Sequence, residues 1–338
     1  MSESENPRAT PAPAHHRATA AADPSGDLPG PRHQLVVALA FAAIYLIWGS
    51  TYLGIRIAVS SIPPFLMAGS RNFLAGTILF TLLRTRGVAA PTAAEWRDAA
   101  ITGLLMLGVG NGLVTWAEQT VPSNLAALLV AVVPIYTALL DWARPGGQRP
   151  ARAVLVGITV GFAGMLLLVL PERGAFAVPR GAGVVAVLVS AFGWSVGSLR
   201  ARYARRHAHS GMVSAQMMLA GGSALLVTAL VRGEVARFSP AALAWQSALA
   251  FAYLTLIGSL VAFSAFGWLV ARTSPALIST TAYVNPMVAV ILGWLLLGER
   301  LSARALSGAT LIIAAVIAMT LRRESLGRAR RWLRARRA

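Results

Sequence analysis

The strongest constraint in this sequence is a succession of apolar stretches, each about twenty residues long, with little chain between them. A helix needs about 20 mainly apolar residues to cross the hydrocarbon layer, and it satisfies its own backbone hydrogen bonds there. The stretches fall at 35–57, 64–83, 98–117, 123–142, 151–170, 181–199, 210–231, 244–269, 275–297 and 303–321. Turn residues separate them, among them Ile62-Pro63-Pro64, Pro145-Gly146-Gly147 and Ser239-Pro240. Charged residues make up 12% of the chain, where a soluble protein carries about a quarter. That deficit leaves a surface suited to lipid. The sequence predicts an all-α integral membrane protein with ten transmembrane helices, here called spans 1 to 10.

The net charge of +18 raises the question of nucleic acid, and its placement answers it. All 30 basic residues are Arg, and eight of them crowd the tail at 322–338. The short loops after even-numbered spans hold 11 arginines and those after odd-numbered spans hold 6. This is the positive-inside pattern of a membrane protein rather than a DNA-reading face, and it puts both termini in the cytoplasm. Residues 1–33, rich in Pro, Ala, Ser and His, read as a disordered cytoplasmic tail without the apolar core of a signal peptide. The basic C-terminal tail, with Leu326, Trp332 and Leu333 among its arginines, is either a lipid-surface segment or a simple topogenic signal. The absence of cysteine excludes disulfides, thiolate catalysis and Cys-based metal sites.

The chain also repeats itself at an offset of 152 residues. Pro134 aligns with Pro286, Trp142 with Trp294, and Trp116 with Trp268. Met67-Ala68-Gly69-Ser70 faces Leu219-Ala220-Gly221-Gly222, and Ala151-Arg152-Ala153 faces Ala303-Arg304-Ala305. Trp48-Gly49-Ser50 matches Trp194-Ser195-Val196-Gly197-Ser198 after a shift of six residues in a loop. Each half, 35–170 and 181–321, holds five spans, an odd number, so the second half must cross the membrane inverted. Inverted repeats are the architecture of many secondary transporters, with the binding site at the repeat interface near the midplane.

Several segments resemble the EamA family of the drug/metabolite transporter superfamily, and within it the YedA-type inner-membrane permeases. They are Trp48-Gly49-Ser50-Thr51-Tyr52, Arg71-Asn72-Phe73, Asn111-Gly112, Pro122-Ser123-Asn124 with Pro134, and Asn285-Pro286 leading to Leu297-Gly298-Glu299. The resemblance covers about residues 35–321. It implies a ten-helix fold in a bacterial inner membrane, no cofactor, efflux of metabolites or amino acids, and a central cavity lined by spans 1, 3, 4, 6, 8 and 9. One departure is that Glu299 has Gly147 as its repeat counterpart, so any role for that acid is confined to one half.

Ionisable groups inside lipid usually line cavities or pair. Arg71 lies a third of the way into span 2, either as an anchor for a substrate anion or as an arginine reaching helix-end carbonyls. Glu118, beside Trp116 at the end of span 3, is the candidate for proton coupling, with an interfacial acid as the alternative. Asp141 has Arg144 three residues away as a partner. Neutral polar and aromatic residues nominate the substrate-binding walls: Trp48, Ser50, Thr51 and Tyr52 on span 1; Asn111, Thr115 and Trp116 on span 3; Ser190, Trp194 and Ser198 on span 6. Spans 8 and 9 add Ser264, Trp268, Thr280, Tyr283 and Asn285. Pro134 and Pro286 are hinge candidates, since each removes a backbone hydrogen bond and should kink its helix. Gly157, Gly161 and Gly164 on span 5 permit close helix approach, within the chain or in a homodimer. His207 and His209 lack the further ligands a metal would need.

Together these features favour a secondary transporter of a small molecule. No nucleophile, metal cluster or acid pair suggests an enzyme. A passive channel and a non-transporting scaffold are the alternatives.

Overall fold

The computed structural model describes residues 31–121, 126, 129–147, 149–169, 181–204, 207–278, 280–285, 287–288, 291, 303–304 and 306–315. The tails to residue 30 and from residue 316, Pro286, Trp294 and Glu299 lie outside the described residues. Among the described residues all regular structure is helical. The main helices in chain order are α1 (Pro31–Ala58), α2 (Pro64–Thr85), α3 (Ala93–Ala117) and α4 (Val133–Ala143). They continue with α5 (Arg152–Val169), α6 (Gly181–Tyr203), α7 (Ser210–Val231) and α8 (Trp245–Arg272). Of these, α1, α2, α3, α6, α7 and α8 make six that are long and apolar enough to cross a membrane.

Local chemistry sets the helix starts. Pro64 opens α2 at a position where its missing N–H is harmless. The next two amides, of Phe65 and Leu66, both donate to the Glu234 Oε2 at 2.9 Å, so a carboxylate from a distant loop caps this helix. α3 starts five residues before the apolar run. Thr92 and Glu95 form a capping box there, with the Thr92 N–H donating to Glu95 Oε2 at 2.7 Å and the Glu95 N–H to Thr92 Oγ1 at 3.3 Å. Span 4 is interrupted rather than kinked. A turn at Ala131–Val132 breaks it, and α4 restarts at Val133 with Pro134 in its first turn. Pro is tolerated in that position because the first amides of a helix have no intrahelical partner.

α2 and α7 pack along their lengths through glycine. A Cβ on Gly69 would stand 2.8 Å from the Leu226 amide nitrogen, one on Gly222 2.6 Å from that of Phe73, and one on Gly76 2.9 Å from that of Leu219. Each step forward along α2 is a step back along α7, so the two run antiparallel with backbones in contact. α5 meets residues 306–315 in the same sense, with Gly161 near Ala315 and Gly164 near Ile312. Those two glycines therefore serve packing within the chain. Elsewhere α1 lies on α8, and α6 lies on α3 and α4. Leu74, Ile78 and Leu82 stand exposed at four-residue spacing along α2, the outward stripe expected of a lipid-facing helix. At the Arg-rich end Arg144 Nε donates to Asp141 at 2.6 Å, as their spacing predicts, and its Nη2 donates to the Tyr203 hydroxyl at 2.7 Å.

Candidate functional site

A partly open cavity lies where these helices converge. Its wall uses residues that the 152-residue register makes equivalent: Leu107 with Ser259, Asn111 with Phe263, Val130 with Ala282, and Val133 with Asn285. Trp48 and Trp194, equivalent after the six-residue shift, complete the set. The two halves thus contribute corresponding positions to one space.

One side of the cavity is polar and built by three helices. Arg71, 4% exposed, turns inward and donates from Nη2 to Asn111 Oδ1 at 2.8 Å. Asn72 Nδ2 donates to the Ala68 carbonyl at 2.8 Å and reaches Asn111 Oδ1 at 3.5 Å. Ser259 donates to Asn72 Oδ1 at 3.1 Å, which carries the chain of contacts from α2 and α3 to α8. Arg71 Nε and Asn285 Oδ1 are buried without a hydrogen-bond partner among the described residues. Buried polar groups are nearly always paired, so a buried cationic donor and a buried acceptor, both unpaired and both on cavity-lining residues, mark groups that a ligand or water could satisfy after a small side-chain shift.

Backbone geometry adds acceptors. α3 and α8 each contain an eight-residue π-helical stretch, Leu104–Asn111 and Leu254–Val261, which overlap in the repeat but start two residues out of its register. Such segments widen a helix and recur at functional sites. Each offers a carbonyl to the other half: Ser190 donates to Gly110 at 2.6 Å and Trp48 Nε1 to Gly258 at 3.2 Å. Neither Pro134 nor Pro286 has an N–H for the carbonyl four residues before it, and those two residues are Val130 and Ala282 of the cavity wall.

Other residues of the wall are aromatic. Trp48 and Trp194 meet edge to face with centroids 5.5 Å apart. Phe266 touches both, at 5.2 and 5.6 Å, and Phe263 lies 5.9 Å from Phe266. A cavity lined by both aromatic and charged or amide groups suits a small amphiphile with an anionic group.

Of the predicted candidates, Trp48, Thr51, Tyr52, Arg71, Asn111, Ser190, Trp194 and Asn285 line this cavity. The others stand elsewhere. Ser50 bonds the Tyr253 hydroxyl, and Ser264 donates to its own Leu260 carbonyl. Trp116 packs into apolar clusters, while Trp268 lies under the Arg272 guanidinium at 4.3 Å. Tyr283 turns toward α5 and donates to the Ile158 carbonyl at 3.2 Å. Thr115 is fully buried with its hydroxyl unpartnered among the described residues, and Ser198 borders a second, smaller space. Asn72, Ser259 and Thr281 were not among the predicted set, yet they line the cavity. Asn72 alone had a signal, as the neighbour of Arg71 in the recognised motif.

Glu118 caps the end of α3 and is 6% exposed. It sits in the electrostatic field of Arg71 and Arg56 and acts in turn on Tyr52. Neither carboxylate oxygen has a hydrogen-bond partner among the described residues. The acid is therefore buried among protein side chains and does not itself line the cavity.

The chain matches the model of the EamA-like transporter family over residues 35–170 and 181–321. It is 40% identical to the inner membrane transporter YedA of Escherichia coli (strain K12) over 284 residues, 83% of this chain and 90% of that protein. A "probable terminal-alkyne amino-acid exporter" of Streptantibioticus cattleyicolor is 29% identical over 84% of this chain and 92% of its own length. A solved crystal structure superposes with a TM-score of 0.69 at 21% identity, over 87% of this chain and 99% of that one, which supports the fold.

Proposed function

Because the chain belongs to the EamA-like transporter family, we propose that it is a secondary transporter that exports small metabolites or amino acids by alternating access. The observation that carries this reading is the shared cavity, lined at equivalent positions by both halves and left with Arg71 Nε and Asn285 Oδ1 unpartnered among the described residues. A carboxylate on Arg71 and an ammonium on Asn285 Oδ1 would satisfy both, which is the recognition of a zwitterion such as an amino acid. The name of the Streptantibioticus relative points the same way.

The full architecture in this reading is ten helices in two inverted five-helix repeats in a bacterial inner membrane, with both termini cytoplasmic. It is supported by the antiparallel contact of α2 with α7, which are each other's counterparts in the repeat. Counterparts that face opposite ways are what an inverted second half requires. A crossed pair of contacts agrees: the Asn285 carbonyl lies 3.1 Å from a Cβ built on Gly49, and Ser195 donates to the Val133 carbonyl at 3.4 Å. Under the two offsets each contact maps onto the other. Glu118 is the proton-coupling group in this account, since its buried charge acts on the substrate-anchoring Arg71. The turn at Ala131–Val132 beside Pro134 supplies the place where span 4 bends during the cycle.

The test is a comparison of intracellular metabolite and amino-acid levels in cells carrying the protein, carrying Arg71→Gln, or lacking it. The reading expects at least one compound to accumulate both without the protein and with the variant. No difference for any compound contradicts export.

A further inference from the structure

A second, much narrower space, partly open and with room for about one water, adjoins the main cavity. The two share Val133, Trp194 and Thr281, so one layer of side chains separates them. Beyond that layer the smaller chamber is bordered by Thr137, Ser198 and Arg202. Trp194, Ser198 and Arg202 follow one another at four-residue intervals on α6, and Val133 and Thr137 do so on α4. Four residues make slightly more than one turn, so each set forms a stripe, and Arg202 lies about 12 Å along α6 from Trp194. The stripes run from the aromatic wall toward the end where Arg144, Arg200 and Arg272 gather.

Two features of the chamber point to a ligand. The Thr137 hydroxyl is 4% exposed as a residue and has no hydrogen-bond partner among the described residues. Arg202 is held in place by its Nη1, which donates to the Thr273 carbonyl and to that of Val270 at 3.5 Å. A guanidinium has five N–H donors in a rigid fork, so this anchoring leaves the group able to meet an anion as well. At this end Arg144 and Arg200 are paired with Asp141 and Asp98, whereas Arg202 and Arg272 bond backbone carbonyls and so keep a positive charge that attracts anions.

We propose that this chamber is the entry vestibule for a small solute that carries an anionic group, such as the carboxylate of an amino acid, on an apolar body. The anionic group is taken first by Arg202, with the Thr137 and Ser198 hydroxyls beside it. It then passes Trp194 to reach Arg71 in the main cavity. Trp194, edge-on to Trp48 at 5.5 Å, is the barrier between the two spaces. This inference rests on the transporter reading and gives its substrate a charge and a route.

The chain has no native cysteine, so single cysteines report access without background. Ser198→Cys and Thr137→Cys are to be labelled in membrane vesicles of both orientations. The probes are two methanethiosulfonate reagents, one bearing a sulfonate and one a trimethylammonium, with rates normalised to a free thiol. The proposal expects both cysteines to react from the Arg-rich face, with the sulfonate favoured by roughly fivefold, the effect of one charge at short range in a partly aqueous site. Arg202→Gln should remove the preference and Arg202→Lys should keep it. No reaction at either site from that face, equal rates with Arg202 intact, or a preference that survives Arg202→Gln overturns the proposal. Labelling after denaturation verifies that each cysteine is present. The measurement needs no flux, so a loss of transport and a loss of anion preference are separate results.

Discussion

Arg71 gives its Nη2 to Asn111 Oδ1 at 2.8 Å, while its Nε meets no acceptor among the described residues. Asn111 belongs to the π-helical stretch of α3, so one contact ties a buried charge on α2 to the part of α3 whose backbone departs from the α-helical ladder. The guanidinium is positioned by one edge and open at another. That is the arrangement of an anchor rather than of an arginine reaching for a helix end.

Arg71→Gln should therefore weaken binding of a carboxylate-bearing substrate by about 2 kcal/mol, roughly thirtyfold, the typical worth of a hydrogen bond to a charged group. Arg71→Lys should recover only part of this, because an ammonium cannot hold Asn111 and a second acceptor in the same plane. Equilibrium binding or the half-saturation of uptake measures both.

Glu118→Gln keeps the shape of the buried side chain and removes its proton exchange. Uptake driven by an imposed pH gradient should fall to the level seen without a gradient, while exchange of labelled for unlabelled substrate at equal pH persists. If gradient-driven uptake is unchanged, Glu118 is structural.

Glu234 caps α2 with two bonds of 2.9 Å while 2% exposed. Glu234→Ala should lower stability by about 1–2 kcal/mol, the usual cost of losing a cap, with Glu234→Gln intermediate because its amide oxygen can still accept both N–H groups but without the carboxylate charge. Thermal unfolding in detergent reads this. The same assay tests the glycine contact between α2 and α7. Gly222→Ala places a methyl 2.6 Å from the Phe73 nitrogen and should destabilise by about 1–3 kcal/mol. Gly181→Ala, with nothing within 4 Å of its Cβ, should not.

Much of this was legible in the sequence. Apolar runs of spanning length mark the long helices to within a few residues, because lipid fixes both their length and their character. The start of α3 was also written there, as Thr92 and Glu95 three residues apart, but the capping box precedes the apolar run and so lay outside it. The repeat located Trp48 and Trp194, and the recognised motifs located Asn111 and Asn285, all of which line the cavity. The repeat also nominated Trp116 and Trp268, which do not. Each stands five residues after a cavity position, Asn111 or Phe263, and five residues turn a helix about 140° away from it. Equivalence between halves fixes a pair of positions without saying which way they face. Asn72 with Ser259, and Glu234 with Phe65, are bonds across 187 and 169 residues. Their partners meet only through tertiary packing, so no local pattern announces them. Pro134 shows another limit: proline foretells an interrupted helix but not whether it bends or stops and restarts.

The central claim is that the cavity shared by the two halves carries a solute across the membrane. Counterflow in proteoliposomes tests it most directly. Purified protein is reconstituted with a pool of unlabelled amino acids inside, and labelled amino acids are supplied outside. The account predicts saturable uptake that is accelerated by the internal pool and reduced by Arg71→Gln. Flux that rises linearly with concentration and ignores the internal pool would show a channel, and no flux under any loading would contradict transport.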